Sequence, residues 1–218
     1  MKFSAKQPTP DRLSEWIALA NENWTPAYQN MPGDVKDSLH LALLREQGYV
    51  CSYCGQKLHG RGDSHIDHFW PQTDFPERAL DYTNLFASCG PPGRPGSPKN
   101  LPSTCGDAKK AWFHCTDYIM PSDSDCEYHF KYGGSGSISP AMAGDVAAEN
   151  MISHLRLGDP SLVNERSVLI ALLEADITAN EITLSNKQAE VLSWRTPDAT
   201  GRLSGFGHVA ARYLEDEL

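Results

Sequence analysis

The feature that most limits how this chain can fold is its cysteine spacing. Cys51-Ser-Tyr-Cys54-Gly55 sets two thiols within one tight turn, and the glycine behind them lets the backbone reverse. Such a pair can chelate one ion. Cys89 and Cys105 are the natural other half, and four thiolates make a closed site of the kind zinc fills for structure, with no open position for chemistry. The 15 residues between Cys89 and Cys105 are wide for a knuckle. Residues 90–103 hold five prolines and three glycines, which deny both helix and strand and predict an irregular loop. A loop of that composition needs its base tied, and a metal would tie it. Cys115 and Cys126 are the spare thiols; either could replace Cys89 or Cys105, but both are expected to be buried and inert. A redox role for the first pair would want a thioredoxin-like βαβ setting, which the flanking sequence lacks.

The 218 residues, 40% hydrophobic and 22% charged, are enough for one large domain with a real core. The expected class is α+β: a helical segment over 1–48, a metal core over 49–118 and a mainly helical region over 119–218. Thr9-Pro10 predicts a helix start, followed by Leu13, Trp16, Ile17, Ala20 and Trp24 at helical spacing. Asp34 is the expected cap of a second helix bearing Val35, Leu39, Ala42 and Leu43, with Gly48 as its stop and Tyr49-Val50 starting a strand. Asp159-Pro160 opens another, with Leu162, Leu169, Ile170, Leu173 and Ile177 as its stripe; two weaker helices are expected around 185–195 and 208–217. No run approaches the ~18 apolar residues of a membrane span, and no apolar segment follows Lys2. The expectation is a cytoplasmic protein with no membrane partner, in which six cysteines serve as ligands or plain thiols.

The net charge of −9 is opposite to that of a free-standing nucleic-acid binder. It is uneven. Residues 91–112 hold Arg94, Lys99, Lys109 and Lys110 against Asp107 alone, whereas residues 141–218 hold twelve acids against six bases. Any phosphate-facing surface is therefore expected near the second cysteine pair, and the acidic helical tail is expected to dock a partner that supplies basic surface. Solubility alone would also account for such a tail.

Ser64-His65-Ile66-Asp67-His68-Phe69-Trp70-Pro71 reads as a short strand closed by proline. Aspartate is disfavoured in strands, so packing alone does not explain the choice. A metal-assisted hydrolase needs a hard oxygen ligand for Mg²⁺ and a neutral imidazole to deprotonate water; Asp67 suits the first role and His68 the second. Adjacent strand residues point to opposite faces, so their convergence would require a bend near Pro71. An exposed His and Asp at a loop edge is the bland alternative.

Leu80-Asp81-Tyr82-Thr83-Asn84-Leu85-Phe86 follows, then Cys89, Cys105 and Lys109-Lys110. In this order the chain resembles the HNH endonuclease family, whose ββα-metal core is a hairpin followed by a helix. More closely it is similar to the PtuB-type HNH subunits of Septu and some retron anti-phage systems. The strongest stretches are Glu46–Cys54, His65–Pro71, Asp81–Leu85 and Cys105–Lys109. The resemblance implies His68 as general base, Asp67 as ligand of the catalytic divalent ion, and Asn84 as a pin for the loop between the hairpin strands. It also implies a nucleic-acid substrate, DNA ahead of RNA, and an ATPase partner of the PtuA kind, with a retron reverse transcriptase and its RNA as a further possible assembly. One departure stands out. HNH proteins commonly place His or Asn shortly after the last cysteine as second metal ligand, but Gly106 is found here. Asp107 is the substitute, with Asn100 and His65 as competitors. Lys109 and Lys110 would touch the phosphate beside the scissile bond, or be a solvated pair; Trp112 is expected in the core. The competing function class is a non-catalytic adaptor in which the cysteines only staple the fold, and Asp67-His68 separates the two readings.

Overall fold

A computed structural model describes residues 1–90 and 103–217; the Pro/Gly stretch at 91–102, with Asn100, lies outside the described residues. Helix α1 covers only Asp11–Ile17, after which Ala18 caps it and Asn21 pairs with Trp24 in an isolated antiparallel bridge. Trp24 is thus not on the helix as expected: the chain turns back, and Trp24 meets Trp16 edge-on at 5.8 Å. Helix α2, Gly33–Glu46, starts behind Pro32. Asp34 sits in its first turn rather than at the cap, and pairs with Arg12 of α1. Val35, Leu39, Leu43 and Leu44 form its buried face.

Gly48 ends α2 with φ +66, where a Cβ would also come within 2.6 Å of Leu203. Both the backbone and the neighbour therefore demand glycine. Tyr49 follows in the same left-handed region, φ 57, so the expected strand is reduced to a single bridge, Val50 to Lys57.

The centre is a hairpin and a short helix. Strand β1, Ser64–His68, runs antiparallel to β2, Leu85–Cys89, with Asp67 opposite Phe86 and His68 opposite Leu85. β2 is buried along its whole length because α2 and the five-residue helix α3, Cys105–Lys109, both pack on it. Residues 69–84 cross between the strands through short 3-10 turns at Pro76–Arg78 and Tyr82–Asn84.

A second hairpin, β3 (Phe130–Tyr132) with β4 (Ile138–Pro140), precedes α4 (Val146–His154), α5 (Pro160–Thr178), α6 (Lys187–Arg195) and α7 (Gly207–Glu217). Asp159 caps α5 as expected, its carboxylate accepting from Ser161 N at 3.1 Å. Leu162, Ile170 and Leu173 are buried, and Arg166 is buried with them because its guanidinium donates to the carbonyls of Gly136 (2.7 Å) and Leu157 (2.9 Å). Helix α7 is no exposed acidic tail. Residues 207–214 are buried, Glu215 binds Arg195 and Arg212, and Asp216 binds Arg212. Of the acids expected to offer a docking surface, Glu215 and Asp216 are paired within the fold, whereas Glu149, Glu165, Glu181 and Asp198 stay exposed. One buried apolar cluster takes residues from Met1 through to Leu214, so the flanks clamp the central hairpin. Among the described residues no helix is long and apolar enough to cross a membrane.

Candidate metal centre and active site

The turn at Cys51–Gly55 is closed by Gly55 N donating to Cys51 O (2.9 Å) and Cys51 N donating to Gln56 O (2.9 Å), with Gly55 at φ +80. It is joined to the hairpin by a side chain that sequence reasoning missed. Gln47, buried at the end of α2, donates to Val50 O and Ala87 O and accepts from Ala87 N, so its amide acts as a strand partner for β2. Nothing in the sequence distinguishes this glutamine from a surface one.

Cys51, Cys54, Cys89 and Cys105 then bring their sulfurs within 4.8 Å of one another, the only group of three or more His, Cys, Asp or Glu ligand atoms so clustered among the described residues. All are free thiols. Cys51 Sγ accepts from Cys89 N at 3.3 Å and Cys54 Sγ from Gln56 N at 3.5 Å, the amide support that thiolate ligands take. Burial opposes ionisation of Cys51, but hydrogen bonds from Cys105, Cys54 and Cys89 hold its thiol well below the usual range; burial pushes Cys105 up. Four ionised sulfurs this close together would require a cation among them. The donor set fits a closed four-coordinate site that could hold a metal such as zinc. Cys105 reaches it with φ 57, a conformation a non-glycine residue adopts at a cost and only when its surroundings enforce it. Of the spare thiols, Cys126 is buried and pushed up to about 12 by desolvation, whereas Cys115 is exposed, contrary to expectation, because it lies in an irregular segment after α3.

Asp67 and His68 are buried at the end of β1, 8% and 6% exposed, so they are not a loop-edge pair. Nor do their side chains converge. The ladder runs through both, and the pleat sends them to different neighbours. Asp67 Oδ2 accepts from Tyr53 Oη at 2.5 Å and lies 3.4 Å from Lys109 Nζ. Burial and the Asp67 charge raise the Tyr53 hydroxyl well above its usual pKa, so it remains a donor. His65, two residues earlier, shares the Asp67 face of the strand.

His68 looks the other way. Its Nε2 lies 3.0 Å from Ala79 O, its Nδ1 lies 3.2 Å from Gln72 Nε2, and the ring of Tyr28 meets it edge-on at 4.4 Å. A carbonyl only accepts, so Nε2 bears the proton and Nδ1 the lone pair. Burial lowers the His68 pKa, partly offset by the Ala79 hydrogen bond, so the ring is neutral at neutral pH. Asn84, 1% exposed, accepts from Trp70 N (2.7 Å) and donates to Trp70 O and Arg78 O (3.1 Å each). It thereby fixes both ends of the crossing segment, including the residue beside the Ala79 carbonyl that orients His68.

Helix α3 closes the other face. Gly106 N donates to Ser88 Oγ at 3.0 Å, and a Cβ on Gly106 would come within 2.8 Å of Asp67 Cγ. A His or Asn ligand at that position has no room, which explains the glycine. Asp107 is half-buried, its carboxylate accepting from Ser103 Oγ. Lys109 is buried, not phosphate-facing: Nζ donates to His68 O (2.9 Å) and Phe69 O (3.3 Å), locking α3 to the end of β1. Lys110 is exposed at the helix end with φ 51. Trp112, half-buried, stacks on His154 of α4 at 4.0 Å.

A knuckle, a strand ending in Asp-His and a pinned return strand make one continuous unit. Residues 51–91 match the family model for HNH endonucleases. This match supports a nuclease-type function, with a nucleic-acid substrate and the divalent metals that HNH nucleases use. The matched HNH segment takes in Cys51, Cys54, Asp67, His68, Asn84 and Cys89, and ends before Cys105 and α3. No curated protein matches the chain.

Proposed function

We propose that this protein is a metal-dependent HNH endonuclease hydrolysing phosphodiester bonds, built on a ββα-metal core of β1, β2 and α3. The observation that carries the reading is His68. It is a buried, neutral imidazole with one nitrogen anchored on a backbone carbonyl and the other left with its lone pair, inside the HNH-matched segment. In this reading His68 Nδ1 takes the proton of the attacking water, and the Ala79 carbonyl stabilises the imidazolium that forms. Asn84 positions that carbonyl through its grip on Arg78. A divalent ion such as Mg²⁺ on Asp67, with Asp107 as second ligand, would supply charge stabilisation at the phosphate. Asp67 has one oxygen already given to Tyr53, so it would serve that ion through the other. Zinc is assigned to the four cysteines as a structural ion, and Lys110, exposed on α3, to substrate contact.

The acidic charge and the similarity to PtuB-type subunits support a cytoplasmic anti-phage effector whose ATPase partner supplies the grip on nucleic acid, DNA ahead of RNA. Two observations favour the adaptor reading instead: Asp67 and His68 face different neighbours, and among the described residues no group of three or more His, Cys, Asp or Glu ligand atoms includes Asp67. Incubating the protein, alone and with its genomic neighbour, on labelled DNA and RNA in Mg²⁺ separates the two. Cleavage supports the nuclease; no cleavage of either substrate under any of these conditions supports the adaptor.

A further inference from the structure

The lone-pair nitrogen of His68 is not open. Because Ala79 O fixes the proton on Nε2, Gln72 must present its amide N–H to Nδ1, and its carbonyl is then free to accept from Gln29 Nε2, which lies 3.2 Å away. The donors and acceptors of Gln29, Gln72, His68 and Ala79 run in one consistent direction. Gln29 belongs to the exposed turn Tyr28–Asn30, whose Tyr28 ring also covers the imidazole. An imidazole nitrogen has a single lone pair, so Nδ1 cannot accept from Gln72 and from a water at once. A cavity of about 330 Å³ bordered by Tyr28, Gln29, Gln72, Pro76, Ala79 and Leu80 adjoins the pair and gives the Gln72 side chain somewhere to go.

We propose that Gln72, backed by Gln29, is a latch on the proton-accepting nitrogen of His68, and that cleavage requires its amide to leave. The inference rests on His68 being the general base. The latch is one neutral hydrogen bond with an exposed backing, so it sets a modest barrier rather than an absolute block. Gln72 lies within the HNH-matched residues, and its backing, Gln29, lies in the N-terminal segment outside them.

Two readouts test it. Diethyl pyrocarbonate acylates imidazole at an unprotonated, accessible nitrogen, and peptide mass spectrometry can follow His68 against exposed His59 as reference. In Gln72→Ala the acylation of His68 should quicken about 3- to 10-fold, as expected for freeing one neutral hydrogen bond, and single-turnover cleavage should quicken over the same range. Gln29→Ala, a surface change with no folding risk, should move both in the same direction by less. Unchanged acylation in both variants overturns the latch, whatever the nuclease assay gives. Slower cleavage by Gln72→Ala also overturns it, since Gln72 would then be positioning water. Faster acylation in a protein that cuts nothing keeps the latch and removes the nuclease reading.

Discussion

The proposed role of His68 as a base rests on its surroundings. Desolvation keeps it neutral, and the Ala79 carbonyl decides which nitrogen is bare. Because its pKa is lowered in the folded protein, the neutral form persists as pH falls below the ordinary histidine value of about 6.5. The acid limb of cleavage should therefore have its midpoint below 6.5, with a plateau at neutral pH; a midpoint above 6.5 in the pH–rate profile would contradict this assignment. The sign for stability is the same: the contribution of neutral His68 is complete above about 6.5 and is lost as pH drops towards the lowered value. Asn84 acts at one remove. Its three hydrogen bonds serve part-buried backbone groups of Trp70 and Arg78, so Asn84→Ala should cost about 2–4 kcal/mol in urea unfolding, as several orphaned polar groups would. Asn84→Asp keeps the acceptor for Trp70 N but sets a carboxylate against two carbonyls, and should lose at least as much. Asn84 and His68 were legible in the sequence through their motif context. Gln72 and Gln47 were not, because a glutamine's part depends on which carbonyl or ring the fold brings to it.

At the level of elements, the centre is held by chemistry from three places: a knuckle before β1, the end of β2 and the start of α3. The cysteine spacing alone exposed this. Helix α3 is only five residues long, too short to be stable by itself, and rests on Cys105, the Gly106–Ser88 hydrogen bond and the buried Lys109 ammonium. The sequence leaves the lysine pair open between phosphate contact and solvation, because charge carries no direction; at the end of a short helix one residue separates buried Lys109 from exposed Lys110. Helix α1 is shorter than the apolar spacing predicts for a related reason. A chain that bends back can place Trp24 against Trp16 at what looks like helical spacing. If the four sulfurs share one ion, Cys105→Ser should lower the zinc content from about one equivalent and release α3, with faster amide exchange over 103–110. Cys115→Ser should change neither. Zinc absent from the wild type by elemental analysis would remove the staple.

Across the whole molecule, the helical flanks both build the core and occupy the charge. Glu215 and Asp216 pair with Arg195 and Arg212, and the second hairpin with buried Arg166 is not legible in the sequence because three-residue strands carry almost no period. The N-terminal segment covers His68, Phe206 just before α7 donates to Gly55 O of the knuckle, and the knuckle and hairpin between them match the HNH endonuclease family model. The central claim is that this unit cuts nucleic acid with His68 as its base. Its most direct measurement is single-turnover cleavage of labelled DNA by wild type and His68→Ala, with zinc content and melting temperature determined on the same samples. Loss of a positioned base should slow cleavage by about 10²–10⁴-fold while zinc and melting temperature stay close to wild type. A His68→Ala protein that cuts at the wild-type rate with its zinc in place would contradict the account.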